Sequence, residues 1–105
     1  MVEVFTTEDF DRWLRKLKDR QGRLRIVARI DRLAHGNPGD TKSVGQGVAE
    51  LRLPYGPGYR IYFTQRGNRV VLLLCGGDKS TQSDDITRAH QLAADWHLTE
   101  ERHDH

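Results

Sequence analysis

Apolar and polar positions alternate with a period of two between residues 47 and 82, GVAELRLPYGPGYRIYFTQRGNRVVLLLCGGDKSTQ. That rhythm predicts strands at 48–53, 59–65 and 69–75, joined by Pro54–Gly58 and by the tight turn at residues 66–68. Ala49, Leu51 and Leu53 then share one face, and Val48, Glu50 and Arg52 the other. In the next strand Tyr59, Ile61 and Phe63 oppose Arg60, Tyr62 and Thr64. The implied sheet has an apolar back and an Arg/Tyr-bearing front, a concave surface suited to a polyanion. The third strand, RVVLLLC, is apolar on both faces and fits a central strand covered by helices on one side.

Before this region the period lengthens. Residues 2–5 predict a short strand. Thr7 is a candidate N-cap, with Glu8 and Asp9 where carboxylates suit the helix dipole. Phe10, Trp13, Leu14 and Leu17 follow at helical spacing. Gln21-Gly22 predicts a break, and a second helix runs from Arg23 to His35 on the stripe Ile26, Ile30, Leu33 and Ala34, with Val27 beside it. Gly36-Asn37-Pro38-Gly39 stops it. Residues 41–46 read as a strand or extended loop. A third helix is expected from Ser80 to Trp96, capped by Ser80 or Ser83, on the stripe Ile86, Ala89, Ala93 and Trp96. Residues 97–105 read as a polar, flexible tail. The order β–α–α–β–β–β–α predicts an α+β fold in one domain, residues 1–105. Two N-terminal helices pack on a small, mainly antiparallel twisted sheet with a C-terminal helix, all helices on one face.

Length and composition narrow the picture. The 105 residues allow one modest core. The net charge of +2 conceals an asymmetry: residues 12–32 hold nine Lys/Arg against two acids, and residues 84–105 hold six acids against two Arg. One region can attract phosphate, and the tail cannot. The lone Cys75 excludes an intramolecular disulfide and reads as a buried small hydrophobe. The start lacks the pattern of a secretory signal, and the run Val70–Cys75 is too short to span a bilayer. A cytoplasmic protein is the expectation.

Candidate chemistry centres on Arg52, Arg60 and Lys79. Arginine forks two donors onto a phosphate and stays charged at any relevant pH. Cleavage of RNA through the ribose 2′-hydroxyl needs a base, cations for the pentavalent phosphate and an acid for the leaving oxygen, and requires no metal or cofactor. Lys79 or a bound water suits the base better than arginine does. Tyr62 is placed to orient a group or stack on a base. Lys42, Arg23, Arg25 and Arg29 are candidate contacts to an RNA backbone. His90 is a candidate acid/base group. The competing reading makes Arg52 a structural ion pair with Glu50 or Asp78. GGDKST lacks the glycine before lysine that a P-loop needs, Gly45-x-Gly47 does not lie between a strand and a helix, and the histidines lack metal-ligand spacing.

RIVARIDRLAHGNPGDTKSVGQGVAELRLPYGPGYRIYF and VVLLLCGGDKSTQSDDITRAHQLA together resemble the RelE/ParE superfamily of type II toxins, in its HigB-like, addiction-module-killer branch. The resemblance covers about three quarters of the chain. It implies a RelE-like fold and a toxin that cleaves mRNA, commonly on the ribosome, silenced by a cognate antitoxin that is a helix-turn-helix DNA-binding protein. It matches Arg60 and Lys79 to basic residues that stabilise the phosphate, and Arg52 to a recurrent arginine of the preceding strand. Val48 and Glu50 stand where members carry lysines, and Ile86 near where several carry a Tyr or His. A ParE-like poison of DNA gyrase without RNA chemistry, and an inactive antitoxin partner, are the other readings the same fold allows.

Overall fold

The computed structural model describes residues 2–103, with side chains to His97. The elements are β1 (Glu3–Thr6), α1 (Glu8–Lys16), α2 (Arg20–Ala34), β2 (Thr41–Ser43), β3 (Val48–Leu53), β4 (Tyr59–Arg66), β5 (Val70–Gly77) and α3 (Gln82–His103), with a 3-10 turn at Lys79–Thr81. The sheet runs β1-β5-β4-β3-β2. β1 lies parallel to β5, and the other three pairings are antiparallel.

The helix starts follow their caps. Thr7 accepts from the Phe10 amide at 3.0 Å and opens α1, as expected. The predicted break at Gln21-Gly22 is displaced. α1 ends at Lys16, and Asp19 caps α2 by accepting from the Gly22 amide at 3.0 Å. Gly22 therefore lies inside the first turn of α2. It is glycine for space: a Cβ there would fall 2.6 Å from both the Asp19 carboxylate and the Tyr59 ring. The Tyr59 hydroxyl donates to Asp19 Oδ2 at 2.7 Å, so the cap is also a tertiary link. That bond and the Gly22 amide hold the Asp19 carboxyl below the usual carboxylate range, the amide contributing most. The expected serine cap of α3 is also displaced, since Asp78 caps the 3-10 turn by accepting from the Ser80 amide at 2.8 Å. α3 continues past Trp96 to His103. Residues 104–105 and the side chains of 98–103, where most of the expected tail falls, lie outside what the structure describes.

Helices cover both faces of the sheet, which corrects the one-sided expectation. Phe10 of α1 and Ile26 and Leu33 of α2 pack on Leu51, Leu53, Ile61, Phe63, Val71 and Leu73. Ala89 and Ala93 of α3 pack on Val48, Tyr62, Leu72 and Leu74 on the other side. The apolar stripe of α3 has to be buried somewhere, and the small alanines let the helix lie close over the sheet. The expected open front is consequently roofed along most of its length. Asp9 of α1 and Arg88 of α3 pair at 2.9 and 3.2 Å, joining the helices of the two layers. This pairing is the main reason the Asp9 carboxyl titrates below its ordinary value.

A bulge sets the end of the sheet. Tyr62 pairs with Cys75 but Phe63 pairs with Leu73, so Leu74 is the extra residue in β5. The alternation restarts there, turning Cys75 and Gly77 toward α3 and Gly76 toward α1. Both glycines are dictated by contact. A Cβ on Gly76 would sit 2.3 Å from the Trp13 ring, and one on Gly77 1.8 Å from the Asp85 carboxylate.

Gly76→Ala is therefore expected to destabilise the fold by about 1–3 kcal/mol through overpacking. Trp13→Leu in the same chain should recover part of the loss. Urea unfolding of both variants, followed by circular dichroism, checks this. An unchanged midpoint for Gly76→Ala counts against the contact.

Candidate functional site

Three of the predicted residues come together at the end of β3 and β4. Arg52 and Arg60 are direct cross-strand partners on the α3 side of the sheet. Both line a cleft of about 270 Å³ with Asp40, Leu53, Pro54 and Gly58. Lys79 stands at its rim, where its amide meets Pro57 O at 3.4 Å and its Cβ lies 3.4 Å from the position a Cβ on Gly58 would take.

Like charges placed opposite each other in a ladder repel. Here each is offset by a carboxylate. Arg52 Nη2 donates to Asp40 Oδ1 at 3.0 Å. Arg60 Nη1 lies 3.9 Å from Glu50 Oε1. The ion pairs expected for Arg52, with Glu50 or Asp78, are replaced by Asp40 because Glu50 points inward. Glu50 is fully buried, and its Oε2 accepts from the Tyr62 hydroxyl at 3.0 Å and from Gln82 Nε2 at 2.8 Å. Among the described residues, Glu50 Oε1 and the buried Nε atoms of Arg52 and Arg60 have no hydrogen-bond partner.

Tyr62 takes a different place from the one expected. It is 0% exposed, so no ring face is open for a base to stack on. Burial raises its hydroxyl pKa far above the ordinary value, with Glu50 adding to the effect, and keeps it a neutral donor. Its contribution to orientation runs through Glu50. His90 lies apart from this cluster: Nε2 is 3.0 Å from Val44 O, on the loop between β2 and β3. Lys42 is exposed on the edge strand β2, in register with Glu50.

The helix arginines divide by task. Arg23 donates to Leu17 O at 3.4 Å. Arg29 donates to Arg52 O and Pro38 O, both at 3.0 Å, and so fastens α2 to β3. Arg25 is exposed and lies over the Tyr55 ring, 4.3 Å from its centroid.

Two groups at this end escape the sequence reading. In the sequence Glu50 reads as an ion-pair partner for Arg52 on an open face; its burial beside Tyr62 and Arg60 emerges only in the fold. Asp85 lies over Gly77, the cross-strand partner of Arg60, and accepts from the Thr81 hydroxyl at 2.6 Å. Burial pushes its pKa up. The Gly76-Gly77 pair followed by acids was the available signal for it. Cys75 is buried as expected, and its thiol pKa is pushed up to about 12, chiefly by burial.

The model of a family described as phage-derived protein Gp49-like (DUF891) matches residues 12–94. The chain belongs to this Gp49-like family. The family is toxin-like and related to the RelE/ParE-type toxins. The matched span of this Gp49-like chain includes α2, the Arg52–Arg60 pair, Lys79 and most of α3. An uncharacterized protein of Haemophilus influenzae is 51% identical over 92 residues, covering 88% of this chain and 93% of its own length. No described helix is long and apolar enough to cross a membrane.

Glu50→Ala removes the acceptor of Tyr62 and Gln82 and the charge partner of Arg60, and a loss of about 3–5 kcal/mol is expected from the uncompensated Arg60 charge. Chemical unfolding measures it; a loss under about 1 kcal/mol contradicts the buried pair. Asp85 carries a folded-state pKa above its unfolded one, so the native state binds its proton more tightly. Its ionisation costs stability as pH rises from the unfolded pKa through the raised folded value. Asp85→Asn should therefore raise the melting temperature at neutral pH, and the gain should vanish below about pH 3.8. A gain independent of pH excludes the ionisation as its cause.

Proposed function

We propose that this Gp49-like protein is the toxin of a type II toxin-antitoxin pair, of HigB-like character and RelE-like arrangement, and that it acts as an endoribonuclease on mRNA. The observation that carries the reading is the cross-strand pair Arg52–Arg60, two like charges held side by side in one cleft with Lys79 at its rim. A fold does not gain stability from that juxtaposition, and a phosphate resolves it. Membership of a toxin-like family supports the same reading.

In the reaction, the ribose 2′-oxygen attacks phosphorus and the bond to the 5′-oxygen breaks, leaving a 2′,3′-cyclic phosphate and a 5′-hydroxyl. Arg60 and Arg52 stabilise the charge on the pentavalent phosphate. Phosphate binding then draws the guanidinium groups from Glu50 and Asp40. Glu50, fixed by Tyr62 and Gln82, positions Arg60 in the free protein. Lys79 or water takes the 2′-hydroxyl proton, water gives a proton to the leaving 5′-oxygen, and Lys79 otherwise serves as a further cation. No cofactor enters this scheme. An acidic segment of a cognate antitoxin, itself a helix-turn-helix protein, would suit the same arginines, and a cytoplasmic site of action follows from the mRNA substrate.

Induction of the chain without its antitoxin should cause an early fall in amino-acid incorporation by growing bacteria, with thymidine incorporation falling later. Arg60→Lys should reduce cleavage of RNA by the purified protein by about 10²–10³-fold while keeping the buried charge. An early fall in DNA synthesis with translation intact overturns the reading and favours a ParE-like attack on DNA gyrase.

A further inference from the structure

A second groove, of about 320 Å³, opens on the other side of Leu53 and Pro54, which line both hollows. Its remaining walls include Arg25, Arg29 and Arg32 of α2 and Tyr55 of the loop after β3. The charge inside the two differs. The Arg52–Arg60 cleft includes Asp40 in its wall and has Glu50 behind it. The α2 groove is lined by three arginines and no carboxylate. Arg29 has its Nη atoms bound to backbone carbonyls, its Nε is buried without a hydrogen-bond partner, and burial followed by the neighbouring Arg32 charge lowers its pKa. The groove is thus a cationic site with no carboxylate in its wall; Asp40 acts on Arg29 from outside it, more weakly than burial and Arg32 do.

The groove also has a floor that a simple charge patch lacks. Tyr55 packs against the core beneath, and the Arg25 guanidinium lies over its ring. A guanidinium over an aromatic ring is a planar cationic platform, and bases stack on such planes. An acidic peptide would use the charges but leave the platform without a role.

We propose that the α2–Tyr55 groove is a nucleotide subsite for single-stranded RNA. It takes the nucleotide next to the one whose phosphate enters the Arg52–Arg60 cleft, with its phosphate at Arg29 and Arg32 and its base on the Arg25–Tyr55 stack. The subsite rests on the RNA reading of the adjacent cleft, and it deepens that reading from phosphate attraction to base contact.

The test uses the full chain and a fluorescent oligoribonucleotide methylated at every 2′-oxygen, which binds without being cleaved. Its comparator is an abasic strand of the same length and charge. The wild type should bind the base-bearing strand at least about fivefold more tightly, given the usual value of one stacked base. Arg25→Lys, on an exposed helix position, keeps the charge and should lose most of that preference. Tyr55→Leu should do the same. Arg32→Ala should weaken both strands and reduce the slope of log affinity against log salt by about 0.7. Equal binding of the two strands by the wild type overturns the proposal, as does a preference that survives in Arg25→Lys. Displacement of the strand by polyglutamate at a lower charge concentration also overturns it and assigns the groove to an acidic protein partner. Cleavage of unmodified RNA by the same preparations separates the two readings. Cleavage without base preference sinks the subsite alone, and base preference without cleavage sinks the nuclease alone.

Discussion

A carboxylate removed from water must be met by donors and by opposite charge, and at Glu50 these come from two other elements. β3 supplies the acid, β4 supplies Tyr62 and Arg60, and the first residue of α3 supplies Gln82. A buried ion is a poor source of net stability but a strong source of specificity, because any other arrangement leaves a charge unpaired. The constraint explains why α3 begins where it does and why its first turn sits over the sheet end. It also explains how Arg60 can stand opposite Arg52 without splaying the hairpin.

Much of the sheet was legible in the sequence because strand alternation and glycine turns are local signals. The strands 48–53 and 59–65 correspond to β3 and β4 within a residue, and the stop at Gly36 matches a backbone φ of +85° that glycine tolerates. What stayed hidden was relational. RVVLLLC, apolar on both faces, was read as covered by helices on one side, and the placing of α3 on the opposite face depends on contacts across the chain. Gly22 read as a breaker because its partners, Asp19 and Tyr59, are visible only in space. The Leu74 bulge has no signature in a run of leucines.

The candidate site divides in the same way. Arg52, Arg60 and Lys79 could be grouped from strand phase and from their place at element ends; the two arginines line one cleft, and Lys79 stands beside Gly58 at its rim. Tyr62 shares their strand face yet is sealed beneath α3, because face alone does not say which part of a sheet a helix covers. His90 sits on α3 but is engaged with Val44, away from the arginines. The arginines of α2, similar in sequence, separate into fasteners and free cations according to which backbone carbonyls lie within reach.

The parallel pairing of β1 with β5 carries a consequence for how the molecule is made. Glu3 lies beside Val70, and the buried acid of β3 waits for Gln82. During synthesis, the first strand has no partner until most of the chain has emerged, and closing so long a loop is entropically slow. The sheet therefore cannot close on a half-made chain: β1 stays unpaired until β5 emerges, and Glu50 lacks its α3 donor until Gln82 does. The last third of the polypeptide thus decides when the five-stranded sheet is complete.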